Sequence, residues 1–186
     1  SLFHNHGRLA GATIAHPHSQ IIALPVLPPD IKRSLDGARQ YYEQHHECVH
    51  CVMVAYEKQE KKRVIYENEK AIVLAPYAAR TAFELRIFPK NHQSNFEEID
   101  ERMRVDCAEA MRVALAKLYT GLNNPDYNFF IHTAPIHNAI SHEYYHWHLE
   151  VLPKTAIWAG FEIGTGIEIA TIAPEDTALF LRDIKI

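Results

Sequence analysis

The sequence predicts an α+β fold in which a long helix packs across one face of an antiparallel sheet. Residues 64–67 and 71–75 are apolar segments on either side of a polar turn, which is typical of a β-hairpin. Apolar residues over 99–118 recur at helical spacing and predict the long helix. Strand-like segments follow at 127–132 and 146–152. Strands on both sides of one long helix favour this fold class.

The composition is that of an ordinary globular protein. Of the 186 residues, 47% are apolar and 23% are charged, and a chain of this length can bury a sizeable core. The net charge of −4 gives no basic surface, so we expect no nucleic-acid partner. No apolar run approaches the ~20 residues that a membrane-spanning helix needs, so we expect no membrane partner.

The N-terminal part of the chain is predicted to form a hairpin followed by a helix. Two strand-like segments flank a turn at residues 11–13. Apolar residues over 30–47 recur at helical spacing, although Gly37 weakens that helix. We therefore divide the chain into a hairpin over 1–29, a linker helix over 30–47 and a second domain over 48–186.

The second domain contains further elements with recognisable ends. A third strand is predicted over residues 83–88. Ser94 and Glu97 match the capping box S-x-x-E, which predicts that the long helix begins there. Gly121 is expected to end that helix, and a last helix is expected to begin near Pro174.

A histidine-rich segment near the start contains candidate catalytic residues. His16, His18 and Gln20 alternate along the chain, so on a strand their side chains would lie on one face. An ordinary polar sheet face with satisfied histidines would have the same pattern. The motif therefore needs its surroundings before it indicates a function.

The same pattern occurs again near the end of the chain. His146, His148 and Glu150 have the same spacing as the first set, and each set leads into a Leu-Pro pair. We interpret the two segments as an internal repeat in which Glu150 replaces Gln20 and Trp147 replaces Pro17.

The cysteines indicate a reducing compartment, such as the cytoplasm, and a metal. Cys48 and Cys51 form a Cys-x-x-Cys pair, which can place two thiolates on one zinc ion. Such a pair by itself is equally consistent with no metal. Cys107 lies in the apolar stripe of the long helix and is expected to be a buried small side chain.

Together, segments 3–7, 11–13 and 16–20 resemble the active-site region of the galactose-1-phosphate uridylyltransferase family, a branch of the histidine-triad (HIT) superfamily. The resemblance implies that His18 is the nucleophile that carries the nucleotidyl group. It also implies that Gln20 supports the phosphate without offering a proton. HIT hydrolases have histidine at that place, so Gln20 favours a transferase.

The resemblance also implies the architecture. Proteins of this family contain two fused HIT domains. Residues 1–29 would be the terminal hairpin of the first, and 48–186 would be a complete second domain. We therefore expect the chain to be the C-terminal portion of a longer protein.

The family's metal pattern matches residues from three parts of the chain. It implies one zinc bound by four residues, namely Cys48, Cys51, His92 and His146. By the same pattern His16 would bind a zinc of the first domain, whose other ligands are absent from this chain. The remaining histidines are expected to be ordinary surface or core residues, namely His45, His46, His132, His137 and His142. Of these, His142 is a weaker substitute for His146.

The family's substrate contacts are matched at two places. The resemblance assigns nucleotide-phosphate contacts to Asn5, Gly11, Ala12 and Thr13. It assigns sugar-phosphate contacts, reached across a homodimer interface, to Phe161 and Glu162, although Phe161 could equally be a core residue. The second H-x-H segment is not expected to hold a nucleophile, because the Glu150 carboxylate would repel an anionic substrate.

The function implied is transfer of UMP from UDP-glucose to a hexose 1-phosphate such as galactose 1-phosphate, through a nucleotidyl-histidine. One alternative is an ADP-sugar phosphorylase or adenylyltransferase of the same family. Another is a non-catalytic HIT module stabilised by zinc. The residues do not distinguish a sugar phosphate from free phosphate as the acceptor.

Overall fold

A single antiparallel sheet of seven strands organises the chain. The computed structural model describes residues 1–135 and 142–186, and His137 lies outside these residues. The strands are β1 (Leu2–His6), β2 (Ser19–Ile21), β3 (Val64–Glu67), β4 (Ala71–Leu74), β5 (Leu85–Pro89), β6 (Tyr127–His132) and β7 (His148–Pro153). Their order across the sheet is β2-β1-β6-β7-β5-β4-β3.

Five α-helices and a short 3-10 helix (Phe96–Glu98) accompany the sheet in the part of the chain that is described. The α-helices are α1 (Pro29–His45), α2 (Val49–Glu60), α3 (Glu101–Gly121), α4 (Gly160–Thr165) and α5 (Pro174–Asp183). The predicted α+β class, with its antiparallel sheet and long helix, is confirmed. Among the described residues, every helix is too short or too polar to cross a membrane.

The main core lies between α3 and one face of the sheet. Ala110, Ala114 and Leu118 of α3 belong to one buried cluster with Val73 of β4 and Ile87 of β5. These three helix positions are four residues apart, so they lie on one side of α3. Burial of this apolar stripe is the main force that holds the helix on the sheet.

The long helix begins later than the sequence pattern predicts. Asp100 is its N-cap, and its side chain accepts a hydrogen bond of 2.7 Å from the backbone N–H of Met103. The Ser94 hydroxyl instead donates to the carbonyl oxygen of His142, at 2.8 Å. The prediction of a capping box at Ser94 is therefore wrong, because α3 begins only at Glu101 and Asp100 caps it.

The opposite face of the sheet is covered by α2, a helix that the sequence analysis missed. Val54 of α2 packs with Ile72 and Leu74 of β4 and with Phe88 of β5. Alternate residues of a strand point to opposite faces, so these β4 residues lie away from α3. Cys48 is the residue that precedes α2, so the Cys-x-x-Cys pair occupies the first helical turn rather than a plain turn.

The predicted linker helix is present as α1. Its buried residues Leu35 and Ala38 form a second core cluster with Ala134, Tyr144 and Tyr145. The two tyrosines lie directly before the terminal H-x-H segment. This packing fixes the position from which β7 enters the sheet.

The N-terminal hairpin extends the same sheet. Each residue of β1 pairs with one of β6, from Leu2 opposite Ile131 to His6 opposite Tyr127. β2 then pairs with the outer edge of β1. The segment predicted as a separate hairpin over 1–29 is thus continuous in hydrogen bonding with the sheet of 48–186. The assignment of the two parts to different domains remains a prediction.

Candidate active site and metal centre

A cavity of about 730 Å³ opens beside β1 and the turn that follows it. Its lining includes the predicted substrate-binding residues Asn5, Gly11, Ala12 and Thr13, together with His16. Residues chosen from separate short motifs are therefore brought together around one space. They lie on the sheet edge formed by β1 and β2.

His18 and Gln20 lie at this edge, but only Gln20 is in a strand. β2 begins at Ser19, so the prediction that His16 and His18 share a strand face with Gln20 is wrong. Pro17 lacks the N–H that a strand ladder needs, which accounts for the late start. The exposed His18 ring has its Nδ1 atom 2.9 Å from the carbonyl oxygen of His16. A carbonyl can only accept, so Nδ1 holds the proton and Nε2 keeps its lone pair.

A second histidine lies behind the candidate nucleophile. His4 is buried and stacks on Phe129, with ring centroids 4.9 Å apart. Its Nδ1 atom lies 3.4 Å from the hydroxyl of Ser19. Burial lowers the pKa of His4, and the nearby His6 and His18 lower it further. His4 is therefore held neutral beneath the β2 edge.

The turn after β1 is fixed by residues of β6 and the segment before it. Gly7 and Gly11 both have positive φ angles, of 81° and 86°. A side chain at Gly7 would meet the Asp126 carboxylate at 2.0 Å. That carboxylate accepts from the backbone N–H of Leu9 at 2.5 Å. The Asn128 amide donates into the same turn, to the carbonyl oxygen of Ala10 at 2.8 Å.

Sequence reasoning missed Asp126 and Asn128. Their polar side chains, spaced two apart at the start of an otherwise apolar strand, were the available signal.

The four predicted metal ligands come together where the start of α2 meets the segments after β5 and before β7. Donor atoms of Cys48, Cys51, His92 and His146 all lie within 4.8 Å of one another. The Cys51 sulfur is 3.3 Å from Nδ1 of His92 and 3.4 Å from Nδ1 of His146. In a tetrahedral zinc site a sulfur and a nitrogen ligand lie about 3.5 Å apart. Both the donor types and their spacing therefore fit zinc.

One thiol of this cluster, that of Cys48, is prepared to bind a cation, whereas the hydrogen bond with Cys48 and burial raise the pKa of Cys51. The pKa of Cys48 is lowered, first by a hydrogen bond from Cys51, against the opposing effect of burial, and then by His146 and His92. The thiolate is the form that binds metal. His50, between the two cysteines, lies outside the cluster and packs against Phe88 and His148. Its burial lowers its pKa to about 3.

The second H-x-H segment ends in a buried charge network. Nδ1 of His148 lies 3.1 Å from the carbonyl oxygen of His146, which is the contact that His18 makes with His16. His148 is only 3% exposed, however, and its Nε2 atom faces the Glu150 carboxylate at 3.7 Å. Burial lowers the pKa of His148 to about 4.

Two arginines neutralise Glu150. Nε of Arg86 lies 3.0 Å from one carboxylate oxygen, and Arg80 pairs with the other. His132 adds a contact of 3.3 Å, so it is more than an ordinary core residue. Burial alone would raise the pKa of Glu150, but the hydrogen bond from His132 and the charge of Arg86 outweigh it and lower the pKa. A second group of possible metal ligands consists of His132, His148 and Glu150, whose ligand atoms lie close together. Both oxygens of the Glu150 carboxylate are already paired with the guanidinium groups of Arg80 and Arg86.

The predicted sugar-phosphate contacts lie elsewhere. Phe161 and Glu162 are on α4, and Phe161 is 51% exposed, so it is not a core residue. Glu162 accepts from the backbone N–H of Ala159 at 3.0 Å. Glu162 also lines a cavity of about 700 Å³ together with Arg80. That cavity shares no lining residue with the one beside β1, although Leu9 of the turn after β1 lines it.

The remaining histidines have other surroundings. His142 lies outside the metal cluster, and its Nδ1 atom is 2.8 Å from the Tyr144 hydroxyl. His45 stacks beside Tyr41, and His46 is the C-cap of α1.

Known proteins are similar to this chain in sequence and in fold. The chain is 39% identical to an ADP-glucose phosphorylase from Arabidopsis thaliana over 186 residues, which is all of this chain and 52% of that protein. A crystal structure of an ADP-glucose phosphorylase from that plant, with bound ADP-glucose, superposes with a TM-score of 0.90 at 38% identity. The superposition covers 100% of this chain and 59% of the other.

Two further comparisons extend the similarity, one in sequence and one in fold. It is 31% identical to a galactose-1-phosphate uridylyltransferase from Thermotoga maritima over 193 residues, covering 100% of this chain and 60% of that protein. A hypothetical histidine triad nucleotide-binding protein from Sulfolobus tokodaii superposes with a TM-score of 0.52 at 14% identity, over 73% of this chain and 90% of the other. This last likeness concerns the fold alone.

The predicted resemblance to galactose-1-phosphate uridylyltransferases is confirmed by these homologues, and so is the HIT-like fold. The chain spans roughly half to three-fifths of the length of the first relatives, 52% and 60%. The family described as "Domain of unknown function (DUF4921)" matches residues 1–183, and the chain therefore belongs to that family.

Proposed function

We propose that the protein containing this chain transfers a nucleotidyl group from a nucleoside-diphosphate sugar, with His18 as the covalent carrier. The observation that best supports this is that His18 directly follows His16 and Pro17, which line the same cavity as Asn5 and the turn from Gly11 to Thr13. The His18 ring is exposed, and its Nδ1 atom is tied to a carbonyl oxygen. This leaves Nε2 as an accessible nucleophile.

In the first step, the lone pair of His18 Nε2 attacks the α-phosphorus in line with the bond to the β-phosphate oxygen. The N–P bond forms as the P–O bond breaks, and sugar 1-phosphate leaves with that electron pair. The carbonyl oxygen of His16 accepts from Nδ1–H and stabilises the positive charge that develops on the ring. Gln20 donates to phosphate oxygens, and its amide has no acidic proton to give to a leaving group.

In the second step, a phosphate oxygen of the acceptor attacks the same phosphorus, and the N–P bond breaks. The first candidate is transfer of UMP from UDP-glucose to galactose 1-phosphate, and the 31% identity to a galactose-1-phosphate uridylyltransferase supports it. An ADP-sugar phosphorylase, with free phosphate as acceptor, is the second candidate. It is favoured by the 39% identity to the plant enzyme, against 31% to the bacterial transferase.

The metal cluster would have a structural role. Cys48, Cys51, His92 and His146 would hold zinc between the start of α2, the segment after β5 and the entry to β7. A fully ligated site stabilises the folded chain directly. His16 is proposed to bind a first-domain zinc. It lies outside this cluster, and its Nδ1 atom is 3.2 Å from the Pro17 carbonyl oxygen.

A homodimer would complete the substrate site. Glu162 and the β1 turn line two cavities with no lining residue in common, and we propose that Phe161 and Glu162 reach the sugar phosphate at the partner's site. The three cysteines are free thiols, which fits a reducing compartment such as the cytoplasm.

The test is intact mass measurement of the full-length protein after incubation with UDP-glucose or ADP-glucose alone. The expected result is a mass increase of one nucleoside monophosphate with one of the donors. Galactose 1-phosphate or inorganic phosphate should then discharge the adduct, and the effective one identifies the acceptor class. His18→Asn should remove the adduct without unfolding the protein, while the exposed His45→Asn serves as the control. Transfer activity in His18→Asn would overturn the assignment, and no adduct with either donor would favour a non-catalytic HIT module.

A further inference from the structure

We infer that Asn128 is a positioning residue that fixes the orientation of the Asn5 amide, so that Asn5 donates a hydrogen bond to an acceptor oxygen of the substrate. The inference deepens the proposed function and rests on it. The acceptor oxygen would belong to a phosphate or a ribose, the chemical groups that a nucleoside-diphosphate sugar presents.

The relationship begins in the strand register. Asn5 of β1 is paired with Asn128 of β6, so the two side chains leave the sheet on the same face. Nδ2 of Asn128 lies 2.8 Å from Oδ1 of Asn5. The same nitrogen lies 2.8 Å from the carbonyl oxygen of Ala10. An amide nitrogen has two hydrogens, and both are used here.

The Ala10 carbonyl determines which group of each asparagine side chain donates and which accepts. A backbone carbonyl can only accept a hydrogen bond, so Asn128 must turn its Nδ2, and not its oxygen, toward Ala10. The same Nδ2 then requires an acceptor from Asn5, which must present its Oδ1. The Asn5 Nδ2 group is therefore directed away from Asn128. A Cβ built on Gly11 would lie 3.9 Å from this nitrogen, which places the donor at the cavity turn.

A fixed donor at this position suits an anionic substrate. Asn5, Gly11 and Thr13 line the same cavity, and phosphate and ribose oxygens accept hydrogen bonds. With the amide reversed, its oxygen would face those oxygens and repel them. Asn128 also holds the Ala10 carbonyl, so it fixes the turn and the amide together. β6, in the predicted second domain, would thereby set the polarity of a site on the N-terminal hairpin.

Two substitutions test this polarity in the full-length protein. Asn128→Asp keeps the size of the side chain but presents oxygen to both Asn5 and Ala10. We expect it to raise the KM for the nucleotide sugar about tenfold, which corresponds to one hydrogen bond. Asn5→Asp keeps an acceptor toward Asn128 but replaces the donor with a carboxylate oxygen. We expect it to raise the KM at least as much while the melting temperature stays near wild type.

A double-variant comparison separates positioning from general damage. In an Asn5→Ala background, Asn128→Asp should add a smaller factor to the KM than it does alone, because only its contact with the Ala10 carbonyl is then left to lose. A purely structural role would add the same factor in both backgrounds and would overturn the inference. Asn123→Asp, at an exposed position after α3, is the matched control. If the wild-type protein forms no adduct with either donor, the proposed function fails. If it does and Asn128→Asp leaves the KM unchanged, only this inference fails.

Discussion

Nδ1 of His148 lies 3.1 Å from the carbonyl oxygen of His146. His18 and His16 make the same contact at 2.9 Å, so the two H-x-H segments share one local geometry. Their surroundings differ: the His18 ring is exposed, whereas His148 is 3% exposed and faces Glu150. The same local backbone geometry therefore presents a histidine to solvent beside the edge strand β2 and encloses one in the central strand β7.

The first prediction concerns the buried partner of His148. Glu150→Gln should lower the free energy of unfolding by about 3 kcal/mol at pH 7, because Arg80 and Arg86 lose a buried countercharge. The folded-state pKa of Glu150 is lowered, so its stabilisation is present above its unfolded pKa and is lost as the pH falls below that value. The difference between wild type and variant should therefore shrink below about pH 4.

Urea unfolding at pH 7 and at pH 3.5 measures both effects. The control is Glu109→Gln, which breaks an exposed pair with Arg112 and should leave stability near wild type. Equal effects of the two variants at pH 7 would contradict a special role for the buried carboxylate.

The second prediction concerns the metal centre. Cys48→Ser should lose one zinc per chain and melt at a clearly lower temperature, because serine is a poor ligand for zinc and the cluster links three segments. Elemental analysis and thermal unfolding provide the measurements. Cys107→Ser is the control, since Cys107 lies on α3 outside the cluster. A full zinc content in Cys48→Ser would refute the ligand assignment.

The third prediction tests the proposed contact of Glu162 with a sugar phosphate across the homodimer interface. Glu162→Ala should raise the KM for the sugar phosphate or lower kcat in the full-length protein, while folding is retained. Glu162 is on the six-residue helix α4, and its capping contact with Ala159 is exposed, so its loss should have little effect on stability. Glu69→Ala, an exposed change on the β3–β4 turn, serves as the control. Steady-state kinetics identical to wild type would rule the contact out.

The fourth prediction concerns the start of the long helix. Asp100→Ala should destabilise the protein by about 1 kcal/mol, because the Met103 N–H loses its partner at the helix N-terminus. Asp100→Asn should retain most of the stability, since asparagine is an equally good N-cap. Chemical denaturation of both variants decides the matter. No loss in Asp100→Ala would mean that the cap at Asp100 is not what begins α3.

Several features could be predicted from the sequence because they depend on local periodicity or on motif spacing. The apolar stripe of α3, the hairpin of β3 and β4, and the helix from Pro29 to His45 are of this kind. The two cysteines are recognisable as a pair because a metal constrains their spacing along the chain. These signals act over a few residues, and packing with the rest of the protein did not override them.

The tertiary structure decided what depends on partners far apart in the chain. Ser94 donates to His142 and leaves the capping of α3 to Asp100, although its local pattern is that of a capping box. Asn128 meets Asn5 across 123 positions of sequence. Such contacts have no fixed spacing, so no local pattern can reveal them. The sequence by itself determined α1, α3, α5, most of the strands and the candidate ligands. The folded sheet decided which polar side chains face one another, because strand register is set by long-range pairing.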